Sequence, residues 1–247
     1  EDTGNIVGAK QFAPLMQCAA RYLPGTNAGL VPHVAVTLPD GQIINSDDAN
    51  IHAALSELLG VKVSLWPLQP KENTQHYSRK DTGVDMLDEW REQLGLGADD
   101  PTPDFSDMPT KVLKQLFEYS VPLGTYFDAL PISLLSCASM RKLSTVIPDF
   151  QMGAERFRPN ILVDTDDDAL GYPELDWTGQ TAHIGETEIA IRAKATRCIM
   201  VARAQPGFEE DKQIIRALFK ETGMKLAVYA DVTKPGNIRI GDPIKVV

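Results

Sequence analysis

At 247 residues, 43% hydrophobic and 23% charged, the chain is long enough to bury a substantial core as one large domain or two small intimate ones. Its 24 Lys and Arg against 34 Asp and Glu give a net charge of −10, which disfavours broad attraction to nucleic acid or to an anionic membrane surface but leaves room for a local basic pocket. No apolar run approaches the roughly 18 residues of a membrane-spanning helix, and the opening residues lack the pattern of a secretory signal. Cys18, Cys137 and Cys198 stand far apart with no CxxC pairing, which fits a reducing cytoplasm better than a disulfide framework, a zinc knuckle or an iron–sulfur cluster.

Residues 33–38 alternate polar and apolar, and Pro39-Asp40-Gly41 supplies turn chemistry into residues 42–45, so a hairpin is expected. Asp47 or Asp48 can cap a following helix whose Ile51, Leu55, Leu58 and Leu59 share one face and which Gly60 stops. Residues 61–66 read as a returning strand, 67–79 as a loop, and 84–94 as an amphipathic helix with Trp90 near its end. Residues 95–107, with two glycines, two prolines and four aspartates, form the expected flexible connector. A helix is predicted over 110–119, a largely buried strand over 126–136 and a short helix over 138–144. The last third reads as strands over 157–163, 188–193, 198–202 and 225–232, with one helix over 211–222 and tight reversals at 235–237 and 241–243. Short strands of mixed length with few helices favour a barrel over an alternating parallel sheet.

Several chemistries are excluded by their missing motifs: there is no phosphate loop, no GxSxG elbow and no HExxH pair. The acidic run over 164–168 imitates a calcium loop but has Ala169 where glycine is required and Leu175 where the bidentate glutamate belongs, so a solvated loop is the better reading. His33, His52, His76 and His183 are dispersed without metal-ligand spacing. Two segments resist a purely structural reading. In Arg156-Phe157-Arg158-Pro159-Asn160-Ile161, Arg158 offers a planar fork for phosphate and Asn160 both a donor and an acceptor; a surface ion pair with a turn asparagine explains them about equally well. In Thr196-Arg197-Cys198, a cysteine before an apolar run is on general grounds more often an inert buried residue. Arg197 can favour its thiolate only if Cys198 lies at an irregular strand mouth.

These segments, with Asp176-Trp177 and the ending Pro235-Gly236-Asn237-Ile238-Arg239-Ile240-Gly241-Asp242-Pro243, closely resemble the MOSC family, named for the C-terminal domain of molybdenum cofactor sulfurase. Upstream, Asp128-Ala129-Leu130-Pro131 through Ala138-Ser139 is similar to a D-x-x-P segment ending in A-S, and the first half resembles the N-terminal β-barrel module that accompanies the domain in bacterial reductases and mitochondrial amidoxime-reducing proteins. The resemblance implies a mixed α/β, mainly β fold. In it a MOSC-type β-barrel packs against an N-terminal β-barrel-like module with short helices, the module over 1–95, a linker over 96–109 and the MOSC domain over 110–247.

It further implies the molybdenum cofactor (molybdenum held by molybdopterin), with Cys198 as metal ligand and catalytic centre, and Asp128, Arg158, Asn160, Thr196 and Arg197 as cofactor-binding residues. A thiolate suits molybdenum as a soft, strongly donating ligand. The expected activity is reduction of N-oxygenated compounds, with electrons from a separate flavin or iron–sulfur reductase and with neither nucleic acid nor membrane as partner. The alternatives are a sulfur carrier with a persulfide on Cys198, or a cofactor-binding module without catalysis. Three departures stand out: the chain opens downstream of the Lys-Ser and Asp-Arg elements that grip the cofactor in relatives, Ala129 and Leu130 replace hydroxyl residues, and Ala195 replaces a cysteine. The first of these leads to an expectation of weakened cofactor binding.

Overall fold

A computed structural model describes residues 4–24, 31–81, 83–166 and 171–247. Strands β1 (Ala19–Tyr22), β2 (Val34–Thr37) and β3 (Ile43–Asn45) pair antiparallel in that order. The predicted hairpin is β2–β3, and Gly41 takes the left-handed conformation its turn needs, at φ 87°. Helix α1 (Ile51–Leu59) buries Ile51 and Leu55 against Val36 and Ile44 of this sheet and Leu38 just after β2, and ends at Gly60 in the left-handed conformation.

Residues 61–66 are not the strand their composition suggests. Side chains of α1 intercept the backbone instead: Ser56 Oγ accepts from Val63 N at 3.0 Å and His52 Nδ1 from Leu65 N at 3.1 Å. Helix α2 (Thr74–Tyr77) interrupts the following loop, and α3 (Met86–Leu94) starts at Asp85, whose side chain accepts from Leu87 N. The stretch expected as a connector carries no helix or strand. Its end is fixed, because Asp107 Oδ1 pairs with the buried Lys225 at 3.1 Å and Oδ2 accepts from Lys194 N at 2.7 Å.

Helix α4 (Thr110–Glu118) precedes β4 (Ile132–Ser136), which is shorter than the buried strand predicted over 126–136; Tyr126 and Phe127 are exposed. Helix α5 (Cys137–Val146), β5 (Ile161–Val163), β6 (Thr181–Ile184), β7 (Thr187–Thr196), α6 (Gln213–Thr222), β8 (Lys225–Lys234) and β9 (Ile244–Val246) complete the chain. The larger sheet runs β5-β4-β8-β7-β6-β9, with only the β4–β5 pair parallel. Three register shifts between β7 and β8 bend it into a curled half-barrel. The fold is mixed α/β, about 29% helix and 21% strand, with strands as its frame and the three-stranded sheet separate.

Two strand predictions give way to turns. Residues 157–160 do not belong to β5, because Arg158 adopts a left-handed φ of 53° and Pro159 lacks a ladder donor. Residues 198–202 form a 3-10 turn over Ile199–Ala202, with Val201 N bonded back to the Cys198 carbonyl. The calcium-loop exclusion falls partly on residues 167–170, outside the described residues.

Arg156 welds these two turns together. Only 1% exposed, its guanidinium lies 4.6 and 4.8 Å from the rings of Phe150 and Phe208 and donates to the carbonyls of Gln151, Val201, Arg203 and Glu209. Gly153 permits this closure, since a Cβ there would collide with the Phe208 ring. Charge-assisted bonds of this kind are worth ~1.5–3 kcal/mol each, and four carbonyls are orphaned together when the guanidinium is lost. Arg156→Met is therefore expected to lose about 3–5 kcal/mol, read as a lower urea midpoint at unchanged slope.

Candidate functional site

Strand β7 ends at Thr196, and the next two residues leave the ladder. Arg197 N donates to Met224 O at 2.8 Å, and Met224 itself is left-handed at φ 73°. Cys198 thus sits at the irregular mouth of a strand, half-buried, where it opens the 3-10 turn and receives a hydrogen bond from the Met200 backbone. That is the placement in which Arg197 and Cys198 can share one cleft rather than opposite faces of a strand.

Five segments converge here. Lys10, Asp128, Cys198 and Tyr229 of β8 lie within electrostatic range of one another, Arg197 acts on Asp128, Cys198 and Tyr229, and the charge of Arg158 is felt at Asp128. The closest pair is Lys10 Nζ to an Asp128 carboxylate oxygen at 2.6 Å; their side chains are 27% and 51% exposed, so the pair is open to solvent rather than sealed in a core. Burial opposes ionisation of both partners. For Asp128 the ammonium of Lys10, with Arg197 and Arg158, outweighs it and holds the carboxyl below its ordinary range; for Lys10 the same pairing, with Cys198 and Tyr229, holds the ammonium above its own. Burial pushes the Cys198 thiol up, with Lys10 and Arg197 pulling the other way, and pushes the Tyr229 phenol up to about 12.

Of the residues singled out in the sequence, Asp128, Arg158, Arg197 and Cys198 form this cluster. Asn160 stands at its edge with part of its chemistry already committed: its Oδ1 accepts from Ser133 N at 2.9 Å while its own N–H donates to Ser133 O. The exposed amide nitrogen is what it offers a ligand. Arg197 Nη2 donates to Phe157 O at 2.5 Å, tying the Cys198 turn to the Arg158 turn. Among the described residues, Thr196 Oγ1 and Arg197 Nε are buried without a hydrogen-bond partner. Unspent donors beside a half-buried thiol and several cations suit an anionic ligand rich in oxygen and nitrogen, as the molybdenum cofactor is.

Two of the replaced positions, Ala195 and Ala129, fall outside this polar group. Ala195 is fully buried in the core, and Ala129 packs against Met108 and Ala193. The four histidines each have a local partner: Ser46 for His33, Leu65 N for His52, Tyr126 for His76 and Glu188 for His183. Lys10 and Tyr229 were missed from sequence. Neither stands in a local motif, and only the tertiary fold carries Lys10 to Asp128.

Residues 124–245 match the model of the MOSC domain, and the chain carries that domain over this stretch. The match takes in every predicted site residue and Tyr229, and leaves Lys10 outside. A MOSC domain relates the protein to the molybdenum cofactor and is consistent with a molybdenum-dependent enzyme. No curated protein matches the chain. Among the described residues no helix is long and apolar enough to cross a membrane.

Proposed function

We propose that the protein is a cytoplasmic molybdenum-cofactor oxidoreductase that reduces N-hydroxylated compounds, with Cys198 as the protein's ligand to molybdenum. One observation carries the proposal: within a MOSC domain, a half-buried thiol stands at a strand mouth in a cleft lined by Asp128, Arg158 and Arg197. When bound, the cofactor supplies two-electron redox chemistry and accepts an oxygen atom.

The chain's own residues account for the rest. Cys198 donates its thiolate once the thiol proton has left, Arg158 would pair with the cofactor's phosphate as a planar fork, and Arg197, held by Phe157 O, would add its charge. Thr196 Oγ1 and the Asn160 amide nitrogen hydrogen-bond its polar edge, while Asp128 accepts from its N–H groups. Reduction breaks the N–O bond, consumes two electrons and two protons, and releases the reduced nitrogen compound and water. Electrons come from a separate flavin or iron–sulfur reductase.

Elemental analysis of protein expressed in a host that makes the cofactor tests this reading. Stoichiometric molybdenum with reductase activity is expected. Molybdenum-free protein bearing cyanide-labile sulfur would replace it with a persulfide carrier.

A further inference from the structure

Lys10 is not a loose surface lysine. The turn that presents it is closed by Gly8 O, which accepts from Gln11 N at 3.1 Å and Phe12 N at 2.9 Å, and by Gln11 Oε1, which accepts from Gly8 N. From outside, Arg203 Nη2 donates to the Lys10 carbonyl at 2.8 Å, and Arg203 directly follows the 3-10 turn that Cys198 opens. The backbone of Lys10 is thereby bound to the segment bearing the thiol, while its ammonium is bound to Asp128 on another segment.

The charges around Asp128 are unbalanced. Three cations, Lys10, Arg158 and Arg197, act on this one carboxylate, in a chain whose net charge is −10. Asp128 can neutralise only one of them. A concentration of positive charge against the sign of the whole molecule marks a place where an anion is to be held. A lysine fixed by its own backbone contributes to such a site with little ordering cost.

We propose that Lys10 is an anion-binding residue of the cleft, shared between Asp128 and a phosphate or similar oxyanion of the incoming ligand. Asp128 positions the ammonium in the free protein and retains one hydrogen bond when the anion takes another, since an ammonium has three donors. This deepens the reading given under Proposed function and rests on it for the identity of the ligand, though the anion-binding role itself does not.

Two measurements on wild type, Lys10→Met and Lys10→Arg separate the two ideas. In the first, inorganic pyrophosphate is titrated calorimetrically into the cofactor-free proteins at low ionic strength. Loss of one charge-assisted contact predicts a dissociation constant about 10-fold or more higher for Lys10→Met, with Lys10→Arg close to wild type. In the second, molybdenum and pterin retained per chain after gel filtration are compared, with thermal melts to verify folding. Lys10→Met is expected to retain several-fold less of both while melting near wild type. Equal pyrophosphate affinity in wild type and Lys10→Met, or no binding to wild type, would overturn the role of Lys10. Absence of molybdenum from wild type would instead overturn the cofactor reading and leave the pyrophosphate result to decide on Lys10.

Discussion

Cys198→Ser is expected to lower N-hydroxy reduction by more than roughly 100-fold while the protein stays folded. Loss of a residue that merely supports a metal ligand costs 10–100-fold, so loss of the ligand itself should exceed that range. A serine hydroxyl keeps its proton far more tightly than a thiol and donates less charge to a soft metal. The stability change should be at most about 1–2 kcal/mol, since the exchange is nearly isosteric and Cys198 is only half-buried. Cys18→Ser and Cys137→Ser are the controls. Cys18 contacts the Pro14 carbonyl and Cys137 opens α5 beside Asp164, so neither shares the cations of the cleft, and both variants should turn over like wild type. A dye-driven reductase assay on the three variants reads the result.

Glu174→Ala should cause the largest loss of stability outside Arg156. Glu174 is fully buried, and its carboxylate accepts from the hydroxyls of Ser136 and Ser139 at 2.5–2.7 Å and from Ala227 N at 3.3 Å. It therefore joins the 3-10 turn of Pro173–Trp177 to β4, α5 and β8 at one point, and it satisfies the N–H of a residue held at a left-handed φ of 71°. Removing it leaves a cavity and up to three buried donors, each worth about 1–3 kcal/mol when unsatisfied. The two serine hydroxyls, already 3.1 Å apart, can rescue each other. The net cost should be about 2–4 kcal/mol, or roughly 4–16 °C in melting temperature for a chain of this size. Glu174→Gln should lose about half as much, because one serine can rotate to accept from the new amide. A melt of Glu174→Ala unchanged from wild type would remove Glu174 from the account of the fold.

Local order was legible wherever the sequence pattern and the physical partner were close together. Helices α1, α3, α4 and α6 follow from apolar spacing, with a glycine stop after α1, α3 and α6, and β2–β3 from its turn. The failures share a cause. Residues 61–66 and 198–202 have the apolar content of strands, but their backbones are engaged by side chains of α1 in one case and by a 3-10 turn in the other. The short edge strands β1 and β9 form because a neighbour offers a free ladder, which composition does not encode. Motif order singled out Arg158, Arg197 and Cys198, which the fold brings near one another, whereas Arg156 of the same motif is buried structural bracing, a difference that only the surrounding carbonyls determine. Lys10 and Tyr229 reach the cleft by tertiary folding alone.

The bond between Cys198 and molybdenum is the center of the proposed chemistry, and X-ray absorption at the molybdenum edge tests it most directly. Wild-type protein loaded with cofactor should show one more sulfur neighbour to molybdenum than Cys198→Ser loaded in the same way, with an oxygen neighbour in its place. The same sulfur count in both proteins would contradict the assignment of Cys198 as ligand, whatever activity either retains.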